Sequence, residues 1–387
     1  MRSPHFTHLH SRRTAIGSIT RLMTASGLAT LLKGTHVMAF DSTDLEKQVS
    51  RALDVLAMSV EKKQVRAASL FVQQKDQQFQ GHFGAAKSED ASYLLGSISK
   101  PIALTALMRL YDQELFQLDD PVQKHLPEFV GGDRSRITVR HLLTHVSGLP
   151  DQLPNNAQLR ASHAKLSDFV AGAMKVDVGF EPGTRYEYSS MGILLAAEIA
   201  QRLSGLDIRR LVNETVIAPL GMQNSALGKG RLRDDQMMQC QTEFGAVESG
   251  AGAPDAKKWD WNSDFWRSLG APWGGLHASA KDVGLYLGSF LAPDGRVLKP
   301  ETARMMVRNH NPAGLESRGL AFDVAMESHC ERCSGETFGH TGSTGTIAWA
   351  DPHRDLICVV LTTLPARALP NGEHPRQLAS NHIAAAL

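Results

Sequence analysis

Two runs near the C-terminus constrain this chain more than any other feature. Leu356 to Thr362 is almost continuously apolar and β-branched, and Thr346 to Ala350 alternates around a tryptophan. The turn cluster Asp351-Pro352-His353-Arg354 separates them, so the pattern predicts adjacent strands. Near the other end, Ala67 to Val72 and Gln78 to Phe83 flank the polar Gln73–Gln77 and read as an antiparallel hairpin. Before it, Leu45, Val49, Leu53, Leu56 and Val60 recur at helical spacing. They predict an amphipathic helix over Asp44 to Lys63, capped by Ser42, Thr43 or Asp44. Helical spacing returns from Ser99 to about Leu115, and again from Met191 to Leu203, in a middle stretch of short helical patterns and turn residues. The expected fold class is α/β (α+β). An antiparallel sheet formed by N- and C-terminal strands is flanked by helices, with a mostly helical region inserted between its parts. The expected boundaries are a single domain over 41–387, with sheet parts at about 41–115 and 275–387 and the helical region at about 116–274.

Charge separates the first forty residues from the rest. They carry Arg2, Arg12, Arg13, Arg21 and Lys33 and no acid, which leaves 36 basic and 40 acidic side chains beyond them. Ser11-Arg12-Arg13-Thr14-Ala15-Ile16 resembles a twin-arginine export signal, followed by a weakly apolar run from Leu22 to Leu32 and a small-residue site at Val37-Met38-Ala39. Export to the periplasm is the expectation. A mitochondrial transit peptide and an uncut basic tail are the alternatives. The apolar run is too short to span a bilayer, so no transmembrane segment is expected. A mildly acidic body without a basic stripe argues against nucleic acid as a partner. Cys240, Cys330, Cys333 and Cys358 are too few for a disulfide scaffold. Cys330 and Cys333 form either a local disulfide or two plain thiols. No second Cys/His pair of zinc spacing follows them, so no metal is expected.

Three motifs carry chemistry. Ser97-Ile98-Ser99-Lys100 sets a hydroxyl one helical turn from an amine, a nucleophile beside a base. The same pattern occurs at Ser59 to Lys62, read as solvated surface, and at Ser162 to Lys165. Ser97 differs from these in having two further motifs downstream. The second motif is Tyr186-Glu187-Tyr188-Ser189-Ser190, after the turn Pro182-Gly183-Thr184. A tyrosine beside a cation ionises more easily and can shuttle a proton. The third is Phe338-Gly339-His340-Thr341-Gly342-Ser343-Thr344-Gly345, opening a predicted strand. Its glycines, Gly342 among them, allow a ligand to approach a strand edge. The Ser343 N–H there is a candidate oxyanion donor. Each motif has a plainer reading: a helix cap with a surface lysine, a core tyrosine, and a Gly-rich turn with a surface histidine.

In this order the three elements resemble the serine β-lactamase and penicillin-binding-protein superfamily. The chain is most similar to the branch of class C β-lactamases, β-lactamase-like carboxylesterases and D-stereospecific peptidases, in which a tyrosine opens the second motif. Leu118-Asp119-Asp120-Pro121, Ile137 to His145 leading into Ser147-Gly148-Leu149-Pro150, Pro219-Leu220-Gly221-Met222 and Gly274-Gly275-Leu276 add to the likeness, which covers about residues 45–365. The resemblance implies that Ser97 is acylated, that Lys100 is its partner and that Tyr188 is general base and acid. It implies no cofactor and puts His340 in the third-motif position. Ser190 stands where the β-lactamase pattern has asparagine, and His340 where penicillin-binding proteins have lysine. A serine has one donor fewer, and a histidine is a weak cation near neutral pH. Both departures count against efficient β-lactam turnover. The expected function is a serine hydrolase that cleaves a small carboxylic ester or amide. A class C-like β-lactamase or D-amino-acid peptidase is the alternative, and a non-hydrolytic penicillin-binding-like protein the second. Trp259, Trp261, Phe265, Trp266 and Trp273 crowd into one segment. They line an acyl or aryl pocket or pack beneath a long loop.

Overall fold

A computed structural model describes residues 42–325, 330 and 332–386. The export-like segment, including Arg12, Arg13 and the Val37–Ala39 site, lies outside the described residues. The sheet runs in the order β2-β1-β9-β8-β7-β6, where β1 is Ala67–Gln74, β2 Gln77–Gly84, β6 Asp323–Val324, β7 Phe338–Gly342, β8 Thr346–Asp351 and β9 Leu356–Thr362. All neighbours are antiparallel, and β1 from the N-terminal part lies directly against β9, Leu70 opposite Val360. The sheet therefore joins both ends of the chain, as the flanking runs predict.

Why β9 reads as a continuous apolar run is plain from its two faces. Leu356, Cys358 and Val360 enter one core with Leu45, Val49, Leu53 and Leu56 of helix α1 (Ser42–Glu61) and Ile383 of the last helix. Ile357, Val359 and Leu361 enter another with Val283, Tyr286 and Leu287 of the helix Ala280–Leu291. Successive side chains point to opposite faces, and helices cover both. Each fully buried aliphatic side chain contributes about 1.5–3 kcal/mol. Trp349, on the α1 side, is fully buried and donates its indole N–H to Ser380 Oγ at 2.8 Å.

Several features depart from the sequence-based reading or decide between its alternatives. Ser59 is buried, with its hydroxyl turned back to Val55 O at 2.7 Å, so only Lys62 of that pair is solvated. A small second sheet, β3-β5-β4, pairs Tyr93–Leu94 and Ala226–Leu227 with Leu276–Ala278. Cys330 and Cys333 are joined as a disulfide, and Cys240 and Cys358 are free and buried. Among the described residues, no helix is long and apolar enough to cross a membrane.

Candidate active site

The site forms where the small sheet, the end of β7 and helix α2 (Ser99–Asp112) converge. Leu95 donates its N–H to Leu276 O at 2.9 Å, after which Gly96 turns the chain at φ 58°. This left-handed geometry favours glycine. A Cβ at Gly96 would lie 3.0 Å from Thr344 Oγ1 and 3.1 Å from Ser343 N, so the turn after β7 is packed directly on the serine turn. Thr344 and Thr346 fasten it there, donating their hydroxyls to Leu94 O and Leu95 O, both at 2.7 Å. Ser97 sits in a single 3₁₀ turn, Gly96–Ile98, that runs straight into α2.

Lys100 is 1% exposed, and its Nζ donates to Ser97 Oγ at 3.0 Å and to Trp273 O at 2.9 Å. Burial pulls its pKa down to about 7; Asp151 opposes this and Arg318 adds to it. At neutral pH much of the amine is therefore unprotonated and able to take a proton. Tyr188 shares a hydrogen bond with Ser97, and the Lys100 ammonium stands 4.7 Å from its ring centroid. Burial outweighs any easing of phenol ionisation by neighbouring cations. Desolvation dominates and pushes the Tyr188 pKa up, with the Arg318 charge working against it.

Tyr188 lies in the irregular segment after the Pro182–Thr184 turn, and the helix Ser190–Ser204 begins two residues later. Ser189 caps it, accepting the Gly192 N–H at 2.9 Å and donating to Pro150 O at 3.0 Å. Ser190 donates both its N–H (3.1 Å) and its hydroxyl (2.5 Å) to Asp151 Oδ1. A carboxylate thus occupies the neighbourhood where the β-lactamase pattern has an amide. The Ser189 N–H goes to Nδ1 of the fully buried His145 at 3.1 Å, and the His145 ring lies 4.5 Å from that of Tyr188.

His340 lies within β7 and is 3% exposed. Its Nδ1 donates to Thr341 O at 2.7 Å, and its Nε2 accepts from Arg318 Nη2 at 2.9 Å. Only a neutral ring meets both contacts. Burial takes its pKa down to about 3, with the Asp323 carboxylate opposing. The histidine is thus a buried, uncharged group with both nitrogens engaged, rather than a weak surface cation. Arg318 is itself buried and ion-paired with Asp323.

The structure therefore brings Ser97, Lys100, Tyr188, Ser190, His340, Gly342 and Ser343 into one neighbourhood. Sequence reasoning missed Asp151, Arg318 and Asp323, and gave His145 no role. The four tryptophans resolve to the packing alternative, whereas Phe265 is half-buried, lines an open cavity and stacks on His163 at 4.8 Å. Trp259, Trp261, Trp266 and Trp273 are all buried, and Trp266 and Trp273 meet edge to face at 6.2 Å. Of the group, Trp273 reaches the chemistry, through its carbonyl oxygen.

Comparison with known proteins bears on family and fold. The family described as Beta-lactamase matches residues 45–381. Esterase EstB of Burkholderia gladioli is 30% identical over 156 residues, 36% of this chain, and the chain spans only 40% of that esterase. Among solved structures, "EstCE1, a hydrolase with promiscuous acyltransferase activity" superposes with a TM-score of 0.70 at 19% identity, covering 88% of this chain and 99% of its own. The D-amino acid amidase from Ochrobactrum anthropi SV3 gives 0.71 at 20% identity, covering 89% and 99%. At these identities the structural likenesses speak to the fold. The match over nearly all the described residues speaks to descent: the chain belongs to the Beta-lactamase family.

Proposed function

We propose that this protein is a serine hydrolase that passes through an acyl-enzyme at Ser97. The observation that carries the reading is the sharing of one hydroxyl: Ser97 Oγ is met by Lys100 Nζ at 3.0 Å and also by the Tyr188 hydroxyl. Lys100, partly neutral at pH 7, draws the Ser97 proton either directly or through Tyr188 as Oγ attacks the carbonyl carbon. Tyr188, kept as a phenol at rest, gives a proton to the departing alkoxide or amine and regains one as water attacks the ester. The N–H groups of Ser97 and Ser343 receive the oxyanion.

The preferred substrate is an uncharged carboxylic ester or small amide. Both nitrogens of His340 are engaged and Arg318 is committed to Asp323, so neither offers a free cation to a substrate carboxylate. The name of the related EstB points the same way. The second reading, a β-lactamase or D-amino-acid peptidase, draws on the family itself and on the amidase likeness.

The test is intact-protein mass and product release after brief exposure to a short-chain p-nitrophenyl ester and, separately, to a chromogenic cephalosporin, with Ser97→Ala alongside. Ester turnover that disappears in Ser97→Ala, with the cephalosporin slow or trapped as an adduct, is expected. Rapid cephalosporin turnover would put the second reading first. Ester turnover surviving in Ser97→Ala would remove the nucleophile assignment.

A further inference from the structure

The groups around Tyr188 include one permanent positive charge that belongs to none of the three motifs. Arg318 lies 22 positions before His340 in the chain and reaches it by pairing: Arg318 bridges to Asp323, and Asp323 on β6 lies opposite Gly339 on β7. The Arg318 guanidinium is 3% exposed and stands 5.4 Å from the Tyr188 ring centroid. It holds His340 Nε2 at 2.9 Å and is ion-paired with Asp323. We propose that Arg318 is a positioning residue of this site. It locks His340 in one orientation and supplies the fixed positive charge that favours the neutral amine of Lys100 and offsets part of the cost of a phenolate at Tyr188. This rests on the serine-hydrolase reading and adds the charge that keeps its base unprotonated near neutral pH.

The sign is set by charge alone. A nearby cation disfavours the ammonium of Lys100 and favours the phenolate of Tyr188, so it promotes the proton-accepting form of each. It lowers the pKa of both groups. Asp323 acts oppositely on both. The charged and titratable groups facing this pair come from several elements. Asp151 and His145 lie on the segments around Ser147–Pro150, and His340 is on β7. Arg318 also meets Tyr186, at 6.0 Å from its ring centroid, and through it Glu316. Apart from Lys100, Arg318 is the one group among these that carries a positive charge, because His145 and His340 are both held neutral by burial.

The experiment is the pH profile of kcat/KM on the p-nitrophenyl ester, for wild type, Ser97→Ala, Arg318→Met and Asp323→Asn. A buried unit charge acting on Lys100 in a partly screened site moves that base by about one pH unit. Arg318→Met should therefore shift the acid limb upward by about one unit, a roughly tenfold loss at pH 6 that recovers at pH 9. Most of the loss should fall on kcat. Asp323→Asn should shift the same limb downward, a reversal that simple loss of packing would not produce. An unmoved limb in a folded Arg318→Met protein would overturn the proposal, as would movement of both variants in the same direction. If Arg318→Met fails to fold, the Asp323→Asn profile decides alone, and a limb that stays or rises refutes it. Activity that survives in Ser97→Ala would instead sink the hydrolase reading, so the two failures are distinguishable.

Discussion

Replacing Lys100 by methionine should make the protein more stable in acid and less stable in alkali. Lys100 is 1% exposed, and burial brings its pKa from the ordinary lysine value of 10.5 to about 7. The unfolded chain then binds more protons than the folded one between these values, so the wild type gains stability as pH rises through that window. Below pH 7 both states are protonated and the folded state bears the whole cost. At 1.36 kcal/mol per unit, about 3.5 units amount to about 5 kcal/mol, an upper value because the site relaxes. Methionine removes that cost while keeping most of the side-chain volume. It also forfeits the bonds to Ser97 Oγ and Trp273 O, and an orphaned buried carbonyl costs about 1–3 kcal/mol. The net at pH 6 is a gain of about 2–4 kcal/mol. At pH 9.5 the wild-type cost has fallen to about 1 kcal/mol, and the variant should be level or slightly weaker. Urea unfolding of both proteins at pH 6, 7.5 and 9.5 reads this directly, with hydrolysis expected to be lost throughout. A stability difference that does not change with pH, or a variant weaker at pH 6, would refute the reasoning.

Close contacts set two further outcomes. Gly342→Ala would drive a Cβ into Leu95 O and Thr346 Oγ1, pushing the end of β7 off the serine turn. Misplacement by about 1 Å can cost about a hundredfold, so kcat should drop about a hundredfold while Ser97 still labels slowly in an intact-mass assay. Asp351 is fully buried and accepts from Ser334 Oγ and Arg354 Nε, both at 2.7 Å. Burial alone would raise its pKa, but these partners hold it below 3.8. Its stabilisation is therefore present above pH 3.8 and lost as pH falls through the folded pKa. Asp351→Asn should cost about 3 kcal/mol at pH 7, with the difference from wild type shrinking towards pH 3 in denaturant titrations.

What was legible in the sequence is what periodicity or a local motif can carry. β8 and β9 run to within a residue of their expected limits, and α1 to within two, because a strand buried on both faces and a striped helix leave long patterns. The β3-β5-β4 sheet was not legible. Its strands of two or three residues are too short to show a period. Ser59 departs for another reason: its back-bond to Val55 O satisfies the hydroxyl inside the helix, so a polar side chain there does not need solvent. In the site, Ser97, Lys100 and Tyr188 stood in recognisable motifs. Arg318 and Asp323 did not, because strand pairing delivers them to His340 and nothing local in Arg318-Gly319-Leu320-Ala321-Phe322-Asp323 announces it.

That difference bears on what the histidine substitution means. Seen as a local change from lysine to histidine in the third motif, it removes a cation, and both substrate binding and the unprotonated fraction of the base should suffer together. The structure separates these two consequences. Arg318 restores positive charge beside Tyr188, but it does so from a buried position, engaged with Asp323 and His340. A charge in that position acts on the protonation of the site through a low-dielectric interior. It has no vacant donor pair directed at a carboxylate in the way a bidentate arginine clamp requires. If Arg318 works as proposed, the base stays unprotonated near neutral pH while attraction for an anionic substrate is given up, which is the combination that an esterase acting on uncharged substrates requires.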